Sequence, residues 1–111
     1  MSIEAQIVGT LQSLAPVYPL MAPQGAVLPR ITYFRVAGTQ EETLADGGSA
    51  PRLRFQVDIW DASFKDARAM AESAKAALRA ALIVGEMTDN PDAYEQETKI
   101  YHVSFDVYAW D

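Results

Sequence analysis

The stretch Arg52-Leu-Arg-Phe-Gln-Val-Asp-Ile-Trp60 decides the fold, because two kinds of side chain alternate along its whole length. One set is Leu53, Phe55, Val57 and Ile59, and the other is Arg52, Arg54, Gln56, Asp58 and Trp60. A period of two residues is typical of a strand with one buried face. The stretch therefore predicts a strand over about 51–61, whose second face is polar and ends in a large aromatic side chain.

The last segment of the chain repeats this alternation and predicts a closing strand over 99–110. Its two faces are Tyr101, Val103, Phe105, Val107 and Ala109, and Ile100, His102, Ser104, Asp106, Tyr108 and Trp110. The chain's own helices can cover the first face. A lone soluble domain has little reason to expose Trp60, Tyr108 and Trp110 on the second face. That second face is therefore predicted to bind another protein rather than to line an active site.

A third strand is expected over 30–38, with Thr32, Phe34 and Val36 on one face and Ile31, Tyr33 and Arg35 on the other. Two registers align its apolar face with the next strand. Pairing Phe34 with Phe55 would place Arg35 against Arg54, and like charges directly opposite destabilise a sheet. Pairing Phe34 with Val57 avoids this and is the preferred register. Either register predicts an outer-face cluster of Arg35, Arg52 and Arg54.

Two segments show helical periodicity. Ser2 is a candidate N-cap for a helix that runs to about Ala15, before Pro16. Ser63 begins an alanine-rich helix that Gly85 is expected to end.

The prolines of 17–29 predict an extended loop, and a short strand around Met87 is optional. The order α-β-β-α-(β)-β predicts an α+β fold, with an antiparallel sheet of three to four strands and two helices packed on one face.

Composition limits the classes of function. A chain of 111 residues is expected to form a single domain over 1–111. It contains no cysteine, which excludes a disulfide framework, a thiol nucleophile and a thiolate metal site. Its net charge of -6 disfavours binding to nucleic acid or to anionic membranes. No signal peptide and no apolar run long enough to span a bilayer is visible, so a soluble protein is predicted.

Two side-chain groups are candidate chemical sites. His102, Ser104 and Asp106 have the residue types of a hydrolase triad, but same-face positions on a strand lie roughly 6.6–6.8 Å apart and do not converge. The acidic turn Asp89, Asp92, Glu95 and Glu97 does not have the spacing of a calcium loop and is predicted to be solvated. We therefore predict no catalytic residue, no metal site and no cofactor.

The residues predicted to contact another protein are Tyr33, Arg35, Arg52, Arg54, Trp60, His102, Tyr108 and Trp110. Aromatic residues and arginine are enriched at the centres of protein interfaces. The acidic segment 39–50 is expected to be a long, mobile connection that reaches a partner or lines a channel. Its residues of interest are Glu41, Glu42, Asp46, Gly47 and Gly48.

A linear series of segments resembles the phage tail completion (tail terminator) family over essentially the whole chain. It comprises the N-terminal helix, Val17-Tyr-Pro19, Ala22-Pro-Gln-Gly-Ala-Val-Leu-Pro-Arg-Ile-Thr-Tyr33, the 52–60 strand, the alanine-rich helix with Phe64, and the tyrosine-bearing closing strand. The resemblance implies a non-enzymatic structural protein of a phage, prophage or gene transfer agent. It supplies no catalytic residue or cofactor.

The same resemblance implies a homo-oligomeric ring, typically a hexamer, that caps the tail tube and joins it to the head connector. The implied partners are further copies of the chain, the tail tube protein and the head-connector protein, with no sequence-specific nucleic acid and no membrane. The implied locations are the host cytoplasm during assembly and then the virion tail or head–tail junction. The alternative is a small α+β ligand-binding or adaptor domain that acts as a dimer.

Overall fold

The computed structural model describes residues 2–39 and 52–110, and it describes their side chains except at 37–39 and 52. In chain order the elements are α1 (Ile3–Leu11), β1 (Val17–Pro19), β2 (Arg30–Thr39), β3 (Arg52–Asp61), α2 (Phe64–Ala81), β4 (Ile83–Asp89), β5 (Ala93–Glu95) and β6 (Ile100–Trp110). The predicted α+β class is confirmed. The acidic-loop residues Glu41, Glu42, Asp46, Gly47 and Gly48 lie outside the described residues, so their role stays a prediction.

The sheet has six strands in the order β1-β2-β3-β6-β4, with β5 also paired to β6. β1 runs parallel to β2, and the other strand pairs are antiparallel. The prediction of three to four antiparallel strands is therefore wrong in number and in the direction of one strand. The missed strands, β1 and β5, have three residues each, which is too short for a two-residue period to be recognised.

Both predicted helix starts are confirmed. The Ser2 hydroxyl accepts a hydrogen bond from the backbone N–H of Ala5 at 3.1 Å, and the Ser63 hydroxyl accepts one from Asp66 at 3.2 Å. Both helices end earlier than predicted, at Leu11 and Ala81. Gly85 lies within β4 and does not end α2, because the β-branched pair just before it already continues the chain as a strand.

The predicted register between β2 and β3 is wrong by one residue. Val57 lies opposite Tyr33, and Phe34 lies opposite Gln56. The faces of β2 are consequently inverted, so that Ile31 and Tyr33 point into the core. Tyr33 tolerates burial because its hydroxyl donates a hydrogen bond to Glu4 Oε2 on α1, at 3.1 Å.

The inverted register also breaks up the predicted arginine cluster, because Arg35 does not lie on the outer face. Arg35 pairs with Phe55, so it shares the helix-covered face with that side chain, whereas Arg54 lies on the opposite face. A register shift between Arg35 and Ala37 marks a β-bulge. Arg52 lies opposite Trp110 in the backbone register.

Among the described residues, a hydrophobic core lies between the two helices and one face of the sheet. The helices contribute Ile3, Ile7, Leu11, Ala67, Ala71, Ala74 and Leu78, and the strands contribute Ile31, Tyr33, Phe55, Val57, Ile59, Val103, Phe105, Val107 and Ala109. The alanines on α2 let that helix approach the sheet closely. Because both helices are used on this side, the opposite face of β2, β3 and β6 is available for another role.

Candidate protein-binding surface

The outer face is the sheet surface that points away from both helices. From the register of the strands it includes Arg30, Thr32, Phe34, Arg54, Gln56, Asp58, Trp60, His102, Ser104, Asp106, Tyr108 and Trp110. It differs from an ordinary solvated sheet face in one respect. Four of its polar residues, Thr32, Asp58, Ser104 and Asp106, are buried.

Asp58 is the centre of one hydrogen-bonded group. Its Oδ1 lies 2.9 Å from both Gln56 Nε2 and His102 Nε2, and the Ser104 hydroxyl also donates to the carboxylate. Burial by itself would raise the pKa of Asp58. The hydrogen bonds from His102, Ser104 and Gln56 outweigh burial, so the pKa of Asp58 lies below its ordinary value.

Asp106 is the centre of a second group. Its Oδ2 accepts a hydrogen bond from Arg54 Nε at 2.9 Å and a second from the Arg54 Nη2, which completes an ion pair. Its Oδ1 accepts from Asn90 Nδ2 at 2.8 Å, and the same amide donates to Ser104 Oγ at 3.0 Å. Asn90 therefore joins the second group to the first at the end of β4.

Aromatic side chains lie at both ends of this polar band. At one end, the rings of Trp60 and His102 stack with centroids 4.2 Å apart, and Trp60 Nε1 donates to Thr32 Oγ1 at 2.9 Å. At the other end, the Arg54 guanidinium lies 5.8 Å from the ring centroid of Tyr108. Trp60, His102, Tyr108 and Trp110 are all half-buried, so each keeps part of its ring open to a partner.

The arrangement of His102, Ser104 and Asp106 does not support nucleophilic catalysis. Activation of a serine needs an imidazole within hydrogen-bond reach of the hydroxyl. Here the imidazole and the hydroxyl both bind the carboxylate of Asp58, while Asp106 pairs with Arg54. The polar groups of this face therefore bind one another, and the charge of Asp106 is compensated by Arg54.

In the acidic turn, two of the four carboxylates already have a basic side chain as partner. Asp89 pairs with Lys75, and Asp92 pairs with Arg68, which ties the turn to α2. Across residues 2–39 and 52–110, no group of three or more histidine or acidic residues is placed to hold a metal ion. Within the same ranges, no helix is long and apolar enough to cross a membrane.

The structure places most of the predicted contact residues together. Arg54, Trp60, His102, Tyr108 and Trp110 lie on the outer face, whereas Tyr33 and Arg35 do not. Sequence reasoning missed the organising roles of Asp58, Asp106 and Asn90. The sequence does indicate the two aspartates, because each lies in the middle of a long alternating strand, where a buried charge needs a partner.

The comparisons with known proteins agree with a structural role. A family model for tail completion protein gp17 matches residues 5–110. The fold is similar to that of a chain in the virion of a native gene transfer agent particle, with a TM-score of 0.60 and 12% sequence identity. That match covers 98% of this chain and 93% of the other. No curated protein matches the sequence. Because the family match spans nearly the whole sequence, the chain belongs to the tail completion protein gp17 family, which is a structural phage tail family and not an enzyme family.

Proposed function

We propose that the chain assembles into a ring, typically of six copies, at the end of the tail tube and joins the tube to the head connector. The observation that carries this proposal is the family match over residues 5–110. The geometry supports a role for the outer face in this assembly, because both helices pack on the other side of the sheet. In this proposal, assembly begins in the host cytoplasm and ends in the virion.

The outer face is proposed to contact the tail tube protein. Its half-buried aromatic residues, Trp60, Tyr108 and Trp110, supply apolar area, while Arg54 and His102 supply polar contacts around them. The hydrogen bonds of Asp58 and Asp106 hold His102 and Arg54 in place before a partner arrives. A preorganised surface loses less conformational entropy on binding.

The polar centre of this face fits a contact that forms late. Obligate interfaces resemble a hydrophobic core, whereas a surface that must stay stable in water before assembly carries more polar groups. Because Asp58 and Asp106 already have hydrogen-bond partners, these two buried carboxylates are satisfied in the free chain. We therefore infer a chain that folds first and docks afterwards.

Negative-stain electron microscopy of purified tail tubes mixed with this chain tests the proposal. The tube protein is taken from the same gene cluster. We expect ring-shaped density at tube ends, with six-fold symmetry in end-on views, and a six-copy species in native mass spectrometry. A chain that neither forms rings nor decorates tube ends would overturn the proposal. A species that stops at two copies would instead favour the dimeric adaptor.

Two variants test the outer face. Tyr108→Ser and Trp110→Ser together remove aromatic area without adding charge, and we expect at least a tenfold loss of tube-end occupancy. Arg79→Ser, on the exposed side of α2, is the matched control and should bind as the wild type does. Circular dichroism identifies any loss that comes from unfolding. Full occupancy by the folded double variant would show that this face is not the docking surface.

A further inference from the structure

A hollow opens at one end of the outer face, between the sheet and the loop that follows β1. Its volume is about 320 Å³. We call it the end hollow, and its lining residues are Leu20, Met21, Ala22, Arg30, Thr32, Trp60 and Glu95. Because Thr32 and Trp60 also belong to the outer face, the end hollow continues that face and is not a separate site.

The indole of Trp60 is held in a fixed orientation in the end hollow. Arg30, Trp60 and His102 occupy directly opposite positions in β2, β3 and β6. The His102 ring stacks on the indole with centroids 4.2 Å apart, and the Arg30 guanidinium lies 6.0 Å from the indole centroid. The indole N–H donates to Thr32 Oγ1 at 2.9 Å. An indole fixed by three neighbours loses little conformational entropy when a partner covers it.

The lip of the end hollow is apolar and exposed. The exposed fractions of Leu20 and Met21 are 75% and 80%. The backbone of the lip is hydrogen-bonded, because the N–H of Leu20 donates to the carbonyl of Tyr33 at 2.8 Å and the N–H of Met21 donates to the carbonyl of Pro19 at 2.6 Å. Adjacent exposed apolar side chains of this size, on an ordered backbone, mark a contact surface.

The two charged residues of the end hollow, Arg30 and Glu95, have opposite signs. A charged occupant would meet one group of its own sign, whereas an uncharged apolar side chain meets none. The peptide groups on either side of such a side chain offer a carbonyl to the Arg30 guanidinium and an N–H to the Glu95 carboxylate. The lining therefore suits an apolar side chain that is presented on an extended backbone.

The size of the outer face indicates that its partner covers the end hollow as well. From Arg52 to Trp60 the face is about 26 Å long, and the three strands β2, β3 and β6 make it about 15 Å wide. This gives about 400 Å² in plan, half of the roughly 800 Å² that each partner buries in a stable interface. The end hollow and its lip extend the face beyond β2, on the side of β1.

We infer that the end hollow receives an apolar side chain of the tail tube protein, with Trp60 against it and Leu20 and Met21 around it. This contact rests on the proposed function and deepens it, because it assigns an anchor point within the docking surface. The tube protein is the occupant because the hollow is continuous with the face proposed to meet the tube. An apolar anchor that fills a pocket carries a large share of the binding energy of an interface.

Photo-cross-linking identifies the occupant, since the sequence contains no cysteine of its own. Met21→Cys is labelled with a benzophenone maleimide and irradiated with purified tail tubes from the same gene cluster. We expect a covalent product with the tube protein, which mass spectrometry should map to one segment that contains a large apolar residue. Arg79→Cys, labelled on the exposed side of α2, is the matched control and should give no tube product. A product with another copy of this chain alone, or no product, would overturn the inference.

Substitutions in the same loop provide an independent readout. Met21→Asp places a charge at the apolar lip and should lower tube-end occupancy at least tenfold, whereas Met21→Leu should bind as the wild type does. Val27→Asp is the matched control, because Val27 is 67% exposed in this loop but does not line the end hollow. Urea unfolding identifies any loss that comes from instability. Wild-type occupancy by the folded Met21→Asp variant would contradict the inference.

The inference and the proposed function can fail separately. Rings at tube ends that Met21→Asp occupies as well as the wild type would reject the hollow contact and leave the ring function standing. A tube cross-link at position 21 from a chain that forms no ring would reject the ring and leave the hollow contact standing. A wild-type chain that does not bind tubes would reject both.

Discussion

The carboxylate of Asp58 lies 2.9 Å from Nε2 of His102, in the middle of a sheet face that neither helix covers. The same carboxylate accepts hydrogen bonds from Gln56 and Ser104. Burial of Asp58 is tolerated because these donors replace the water that it loses. The outer face thus depends on a charged group that is buried before any partner binds.

The first prediction concerns acid stability. The pKa of Asp58 in the folded chain lies below its ordinary value, so its stabilising effect is fully present above the ordinary aspartate pKa of about 3.9 and is lost as pH falls through the folded value. Asp58→Asn should lower the free energy of unfolding by about 1–3 kcal/mol at neutral pH. Urea unfolding at a series of pH values should show the two chains converging below about pH 4.

Glu86→Gln is the matched control for this experiment, because Glu86 is an exposed residue of β4. It should leave the acid dependence of stability unchanged. A constant difference between the wild type and Asp58→Asn down to the lowest pH would contradict the role given to the Asp58 carboxylate.

The second prediction concerns the ion pairs that tie β4 to α2. Lys75 is 13% exposed, and its ammonium pairs with Asp89 and Glu72. Burial would lower the pKa of Lys75, but the hydrogen bonds to the two carboxylates raise it overall. Lys75→Met keeps the aliphatic stem and removes the charge, so it should cost about 1 kcal/mol, and less at high salt.

The sign of the pH effect is opposite to that of Asp58. Because the folded pKa of Lys75 is raised, its stabilisation is present below the ordinary lysine pKa of about 10.4 and is lost as pH rises through the folded value. Lys65→Met, on an exposed part of the same helix, should change neither stability nor its alkaline dependence. Equal effects of the two substitutions would contradict this account.

The long strands were predictable from sequence because ten or more residues repeat one alternation. The face of β2 was not, since Tyr33 looks amphipathic and its burial depends on Glu4, which lies 29 residues away in sequence. Both registers expected from the sequence align Phe34 with the apolar face of β3. The structure adopts a third register and adjusts it with a bulge after Arg35.

The composition of the outer face was predictable, but its internal pairing was not. Trp60 and His102 could be assigned to one face by counting alternate residues. Their stacking requires β6 to lie beside β3, although α2, β4 and β5 separate the two strands in sequence. Asn90 joins the network only because β4 lies on the other side of β6. Such contacts depend on strand order, which local periodicity does not specify.

The third prediction concerns the start of α2. The Ser63 hydroxyl accepts a hydrogen bond from the N–H of Asp66, one of the donors that a helix cannot satisfy internally. Ser63→Ala should therefore lower the free energy of unfolding by about 1 kcal/mol. Ser73→Ala, in the exposed middle of the same helix, should be neutral or slightly stabilising, because alanine is the better helix former. Chemical denaturation measures both variants, and equal losses would argue against the cap.

The fourth prediction concerns the close approach of Gly85 to Trp110. A Cβ atom at position 85 would lie 2.6 Å from Cζ3 and 2.7 Å from Cη2 of the indole, so Gly85→Ala requires the ring to move. The atoms that clash are at the outer end of the ring, which can rotate, so the cost should be about 1 kcal/mol, at the low end for overpacking.

In a Trp110→Ala background the same substitution should cost nothing. A double-mutant cycle by urea unfolding should therefore give a coupling of about 1 kcal/mol. An equal cost of Gly85→Ala in both backgrounds would show that the indole of Trp110 is not the reason for glycine at position 85.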